Sequence, residues 1–241
     1  MATPDYVLAS SARVLGQVLP LLRRTPGAIA DTEVYARYRR TLDVLIADTR
    51  AAARSATLGT DLVSIFDGYR DASDDMRATI AGLERVLVVV RSFVPVVGAS
   101  STSLAQRRHE LGLTGLIEVL ALGSIASAVS LLDPRSHDEA TRLRHRLSRH
   151  FTTGIERASE RGDVDVLRAL REAHAWLVRD LIERGRPLAR MVSYETGVPL
   201  PAVVLAHELY QDAGRADELR AENPNHDHPA FMPVAGRALS Q

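Results

Sequence analysis

The sequence contains no cysteine and no lysine, and only 5% of its residues are aromatic. The absence of cysteine excludes disulfide bonds, thiolate metal sites and a cysteine nucleophile. All 30 basic residues are arginine and are balanced by 30 acidic residues, so the net charge is zero. A strongly electrostatic nucleic-acid binder usually carries a basic excess, which this chain lacks, although a local basic patch stays compatible with the composition. The 46% hydrophobic and 25% charged residues are typical of a folded globular protein.

The longest apolar run extends over residues 111–132 and contains one charged residue, Glu118. Its length permits a membrane span. Its serine and threonine content and its lack of aromatic belts favour a buried central helix instead. We expect Glu118 either to pair with an arginine from a neighbouring helix or to lie where the helix face reaches solvent. The small residues of the run, Gly112, Gly115, Gly123 and Ala126, allow a second helix to approach closely, either inside a bundle core or along a self-association seam.

Apolar residues recur at helical spacing through the first three quarters of the chain, which predicts an antiparallel helical array or bundle. The segment 95–103 is rich in proline, glycine and serine and interrupts this pattern. It predicts a boundary between an N-terminal helical region, 1–97, and a second helical region, 98–187. The valine-rich run 86–90 has strand propensity, but the period of the residues around it predicts a helix.

Three residues of the second helical region have a specific predicted role. Ser136 and Glu139 have the spacing of a capping box, so a helix is expected to begin there. His174 lies on an apolar stripe, where a hydrogen-bonded core histidine is the expected structure.

The segment 188–241 changes character and predicts a small α+β module in place of a further bundle helix. Pro201 is suited to the first turn of a short helix. The predicted order of strand, helix, helix and strand covers residues 188–194, 202–210, 216–223 and 237–240.

This C-terminal segment resembles the C-terminus of the Mu-type phage tail protein family, whose members are known as DNA-circularisation proteins and belong to the tail baseplate. The resemblance extends over residues 130–241. The motifs that carry it occur in order: Leu200-Pro-Ala-Val-Val-Leu-Ala-His-Glu-Leu-Tyr210, Asp212-Ala-Gly-Arg-Ala-Asp-Glu-Leu219, Asn223, His228-Pro229, Phe231 and Pro233. Members of the family begin with a β-rich domain, whereas this chain begins with helices, so the function of that domain is not carried over.

The segment 209–239 is also similar to the second half of a LysM module, a small fold that phage tail hubs use as an adaptor. Gln211 and Gly214 depart from the commoner LysM pattern, and nothing in the segment resembles a peptidoglycan groove. The resemblance therefore implies a mainly α protein with a small LysM-like α+β module at its C-terminus, and it does not imply glycan binding.

Two sets of residues are candidates for contact with partners. In the C-terminal module we expect the interface residues Tyr210, Asp212, Arg215, Asn223, His228, Pro229 and Phe231, because tyrosine and arginine are favoured anchors. Tyr210 and Phe231 are equally suited to filling the core of the module. Upstream, Arg142, Arg146 and Arg149 share a helix face by their spacing and form a possible basic face for phosphates or acidic proteins. A solvated helix face, with ion pairs to Asp138 and Glu139, is the better interpretation of these arginines.

No catalytic constellation is visible in the sequence, so an enzyme is not expected, and no cofactor is implied. His226-Asp-His228 has ligand chemistry, but a turn is the better interpretation because no helix-borne partner accompanies it. The resemblance implies a structural component of a bacteriophage tail baseplate or hub, present in several copies around the tail axis in the virion, and bound to hub, tube or wedge proteins without membrane contact. The alternative is a DNA-associated protein that holds or circularises phage DNA ends.

Overall fold

The computed structural model describes residues 4–23, 29–224 and 231–240. Those residues are mainly helical, and two small antiparallel strand pairs lie near the C-terminus, so the predicted fold class is confirmed. The helices are α1 (Asp5–Leu22), α2 (Thr32–Ala47), α3 (Thr49–Arg54), α4 (Leu58–Asp71), α5 (Met76–Ser92), α6 (Ser101–Leu131), α7 (His137–Arg161), α8 (Val164–Gly185), α9 (Ala202–Tyr210) and α10 (Ala216–Glu222). The strands are β1 (Met191–Glu195), β2 (Leu200–Pro201), β3 (Phe231–Met232) and β4 (Ala235–Leu239).

The chain divides into two compact units. The larger unit consists of Met1–Leu132 and Leu147–Leu177, and the smaller of Asp133–Arg146 and Val178–Gln241. The boundary predicted between residues 97 and 98 falls inside the larger unit. Helix α6, which follows this boundary, packs on α1, α4 and α5, which precede it. The segments on both sides of the boundary therefore share one core.

Helix α6 is the central helix of the larger unit. Its side chains at Leu113, Ile117, Leu122, Ile125 and Val129 are buried. It is long and apolar enough to cross a membrane, but 61% of its most apolar window is buried inside the protein. The valine-rich part of α5 is helical, as predicted, because its buried residues recur at helical spacing against α6.

A buried ionic network lies beside α6. The Glu118 carboxylate, 1% exposed, is 2.8 Å from Nε of Arg91 and 3.0 Å from Nε of Arg157, and Nη1 of Arg161 is 3.8 Å away. Arg91 also donates to the backbone oxygen of His150 at 2.8 Å. The prediction that Glu118 pairs with arginine from neighbouring helices is therefore confirmed. A buried carboxylate needs such compensation because its desolvation is costly.

His174 is half-buried, and it makes the hydrogen bond that was expected of it. Its Nε2 is 3.0 Å from the Ser148 hydroxyl, and its ring stacks on that of Phe151 with centroids 5.5 Å apart. Burial lowers the pKa of His174, and it also lowers that of His109.

Candidate docking surface of the C-terminal module

In the smaller unit, the first turn of α7 is attached to the chain that enters β1. The Ser136 hydroxyl accepts a hydrogen bond from the Glu139 amide at 3.1 Å, which confirms the predicted helix start. The Asp138 carboxylate accepts one from the Met191 amide at 2.6 Å, and the His137 amide donates to the Ala189 oxygen at 3.0 Å. The smaller unit therefore includes residues 133–146 and 178–187, which precede the predicted start of the module at 188.

The module has the predicted order of strand, helix, helix and strand. Strands β1 and β4 pair antiparallel, with Met191 opposite Leu239 and Glu195 opposite Ala235. The two-residue strands β2 and β3 form a second pair that the sequence did not reveal. A small apolar core lies between the strands and the two helices α9 and α10, and it contains Tyr194, Ala202, Leu205, Ala206, Tyr210, Ala216, Leu219, Met232 and Ala238.

Tyr210 belongs to this core. Its side chain is buried, and its hydroxyl accepts a hydrogen bond from the Leu239 amide at 3.0 Å. The guanidinium of Arg215 lies 3.9 Å from the centroid of the Tyr210 ring, a cation–π contact. Arg215 is held there by two hydrogen bonds to Glu218, at 2.5 and 3.2 Å. Burial raises the pKa of Tyr210. Of the two interpretations of Tyr210, the structure therefore favours the core residue.

Asp212 and Asn223 shape the backbone around α10. Asp212 is exposed and its Oδ1 accepts from the Gly214 amide at 2.8 Å, directly after Gln211, whose φ of 57° is left-handed. The side-chain nitrogen Nδ2 of Asn223 donates hydrogen bonds to the backbone oxygens of Leu219 and Arg237, at 2.8 and 2.7 Å. The side-chain oxygen Oδ1 of Asn223 accepts one from the backbone N–H of Arg237 at 2.9 Å. Asn223 thus joins the end of α10 to β4.

Phe231, unlike Tyr210, is turned toward solvent with 42% of its surface exposed. Val198, Val203 and Val234 of the module are also exposed, at 59%, 50% and 37%. Phe231 pairs with Pro201, directly before α9. The Thr196 hydroxyl is 2.9 Å from the Val198 oxygen and 3.1 Å from the Val234 oxygen, so those two backbones meet.

We call Val198, Val203, Phe231 and Val234 the apolar rim. Sequence reasoning missed its three valines. One signal was present, because the buried positions Ala202, Leu205 and Ala206 of α9 leave Val203 at the edge of the buried face.

A cleft of about 560 Å³ lies beside the Asn223 contact. Among the described residues that line it are Arg142, Glu222, Pro224, Pro233 and Arg237. The predicted interface residues His228 and Pro229 lie outside the described residues, as does the His226-Asp-His228 motif.

The three arginines of the possible basic face are all exposed on α7. Arg142 and Arg146 belong to the smaller unit, whereas Arg149 belongs to the larger. Within the part of the chain that the structure describes, no group of three or more histidine, aspartate or glutamate residues is placed to hold a metal ion.

The chain was compared with protein-family models and with curated proteins, and neither comparison gave a match.

Proposed function

We propose that the protein is a structural component of a bacteriophage tail baseplate or hub, and that it docks neighbouring tail proteins through the C-terminal module. The observation that carries the proposal is the apolar rim. Four apolar side chains, on segments that the Pro201–Phe231 pairing and the Thr196 hydrogen bonds join, are exposed on a small module that has its own apolar core. The motif resemblance of residues 130–241 to Mu-type tail proteins supplies the identity of the partners, namely hub, tube or wedge proteins.

The geometry gives the predicted interface residues different roles in this proposal. Tyr210, Arg215 and Asn223 hold the shape of the module through the contacts described above. Phe231 and the rim valines are the side chains that contact the partner. Apolar side chains at the centre of an interface contribute most when the partner excludes water from them. A rigid module limits the entropy lost on docking.

The alternative is a protein that binds phage DNA ends. Arg142 and Arg146 favour it, because both are exposed on one helix. The zero net charge opposes it. Binding of duplex DNA at several salt concentrations separates the two functions, because affinity for phosphates falls steeply with salt.

The docking proposal is tested by particle incorporation of the double variant Val203→Ser, Phe231→Ser. We expect it to fold and to be absent from purified tails. The matched control is Val88→Ser on α5, whose side chain is 62% exposed in the larger unit. It should be incorporated like the unaltered chain. Normal incorporation of the double variant would overturn the proposal.

A further inference from the structure

Helix α6 has one face that the larger unit leaves open. Its other faces pack on α1, α4 and α5, and Leu122 lies against Gly154 of α7. The open face is uncharged and is formed by Gly112, Leu116, Val119, Gly123, Ala126 and Ser130, which we call the α6 seam. Leu116 is 41% exposed, and Leu131 beside the end of the seam is 62% exposed. Water therefore contacts an apolar strip along about five turns of helix.

The spacing of the seam alternates between four and three residues. This is the repeat that keeps one narrow strip of a helix against a second helix over many turns. Gly112 and Gly123 form notches, since a methyl group added at either would meet no atom within 4 Å. Leu116 and Val119 stand between these notches as the larger side chains.

The seam is complementary to its own reversed copy. In an antiparallel pair centred on the level of Ala121, Leu116 comes opposite Ala126 of the partner subunit, and Val119 comes opposite Gly123 of the partner subunit. Each such layer joins a larger side chain to a smaller one, which is the arrangement that lets two helices approach closely.

Charge also favours the antiparallel direction. Arg107 and Arg108 are exposed near the start of α6, and the last turn of α6 carries no basic residue. In an antiparallel pair, these arginines lie within about one turn of the other helix's C-terminus, whose carbonyl groups attract cations. In a parallel pair the four arginines would lie together and repel each other.

We propose that a second copy of this chain occupies the α6 seam and forms an antiparallel helix pair with it. One helix pair buries less than the roughly 800 Å² per partner of a standard interface. The dimer is therefore expected to depend on protein concentration. This inference goes beyond the proposed tail function and does not rest on it.

Association of the full chain is measured first, by sedimentation velocity over a range of concentrations. We expect a monomer–dimer equilibrium for the unaltered chain. Leu116→Glu should raise the dissociation constant of the dimer at least tenfold, because it places a carboxylate in the apolar seam. Val88→Glu, an exposed valine of α5, is the matched control and should leave the equilibrium unchanged. Circular dichroism of each variant shows whether it is folded.

Cross-linking tests the direction of the pair, since the chain has no native cysteine. Gly112→Cys and Ser130→Cys are separated by about 27 Å along one helix. In the antiparallel pair these positions face each other across the seam. A mixture of the two single variants should therefore give a covalent dimer on mild oxidation, and neither variant alone should do so.

The other outcomes each overturn the proposal. A monomer at all concentrations, or a dimer that Leu116→Glu leaves intact, removes the seam as the interface. Cross-linking of Gly112→Cys to itself removes the antiparallel arrangement. Flotation of the unaltered chain with phosphatidylcholine vesicles, lost in Leu116→Glu, assigns the seam to lipid.

Discussion

The side-chain amide of Asn223 makes two hydrogen bonds with the backbone of Arg237, one through its nitrogen and one through its oxygen. A backbone residue of a neighbouring strand would make the same pair of bonds. Because the N–H and C=O of a strand residue point to the same side, Arg237 turns both groups away from β1. Asn223 therefore satisfies the outer edge of β4 at this position and closes the module.

Replacement of Asn223 by alanine should lower the stability of the module by about 1–2 kcal/mol, because three hydrogen bonds are lost. Aspartate should not restore it, since a carboxylate faces the carbonyl oxygens of Leu219 and Arg237. Hydrogen exchange of the Arg237 amide measures the effect locally. Asp217→Asn, which alters an exposed ion pair with Arg220, is the control. Unchanged protection of Arg237 in Asn223→Ala would show that the amide does not close the module.

Glu118→Gln should destabilise the larger unit by about 3 kcal/mol, because it leaves the guanidinium groups of Arg91 and Arg157 without their buried carboxylate. Trp176, the chain's one tryptophan, lies in the larger unit and reports its unfolding in urea. Glu33→Gln removes an exposed partner of Arg37 and should cost about 0.5 kcal/mol or less. Equal losses for the two variants would contradict a structural role for the network.

Acid should weaken the larger unit as pH falls below about 6.5. Burial lowers the pKa of His174 and His109 in the folded chain, so the unfolded chain binds more protons and is favoured as pH falls. His174→Gln removes one of these groups. Its urea stability, followed by Trp176 fluorescence, should depend less on pH between 7 and 5. The exposed residue His207 provides the control, His207→Gln. If His174→Gln leaves the pH dependence of the unfolding free energy unchanged, protonation of His174 is not coupled to unfolding of the larger unit.

Alanine should have opposite effects at two helical glycines. At Gly16, an added methyl group meets nothing within 4 Å, so Gly16→Ala should stabilise α1 by about 0.5–1 kcal/mol. At Gly82 the same group would collide with the hydroxyl of Tyr69, which is itself fully buried. Gly82→Ala should therefore destabilise by about 1–3 kcal/mol. Urea midpoints of the two variants check both signs, and a stabilised Gly82→Ala would refute the close packing.

Local patterns were sufficient to predict the mainly helical fold class and the order of the module, but not the short helix α3. Helix α9 begins after Pro201 and ends at Tyr210, as its pattern predicted. The two-unit division could not be predicted, because it depends on long-range packing of α6 against α1 and α4. The pairing of β2 with β3 was missed, since two residues give no readable alternation.

The candidate interface was less predictable than the fold. Tyr210 and Phe231 looked equivalent in the sequence, yet one is buried and the other is exposed. Tyr210 is fixed by its hydrogen bond to Leu239 of β4, and Phe231 is fixed by the pairing of β3 with Pro201. Local sequence patterns do not encode these long-range contacts. The rim valines were missed because isolated exposed valines are ordinary, and their proximity appears only in three dimensions.

Localisation in intact particles tests the tail proposal most directly. The chain is tagged at its N-terminus, and purified virions are imaged by electron microscopy with a label for the tag. We predict a symmetric ring of label at the far end of the tail. Label absent from tails, with the protein recovered on injected DNA, would contradict the docking function and favour the DNA-end alternative.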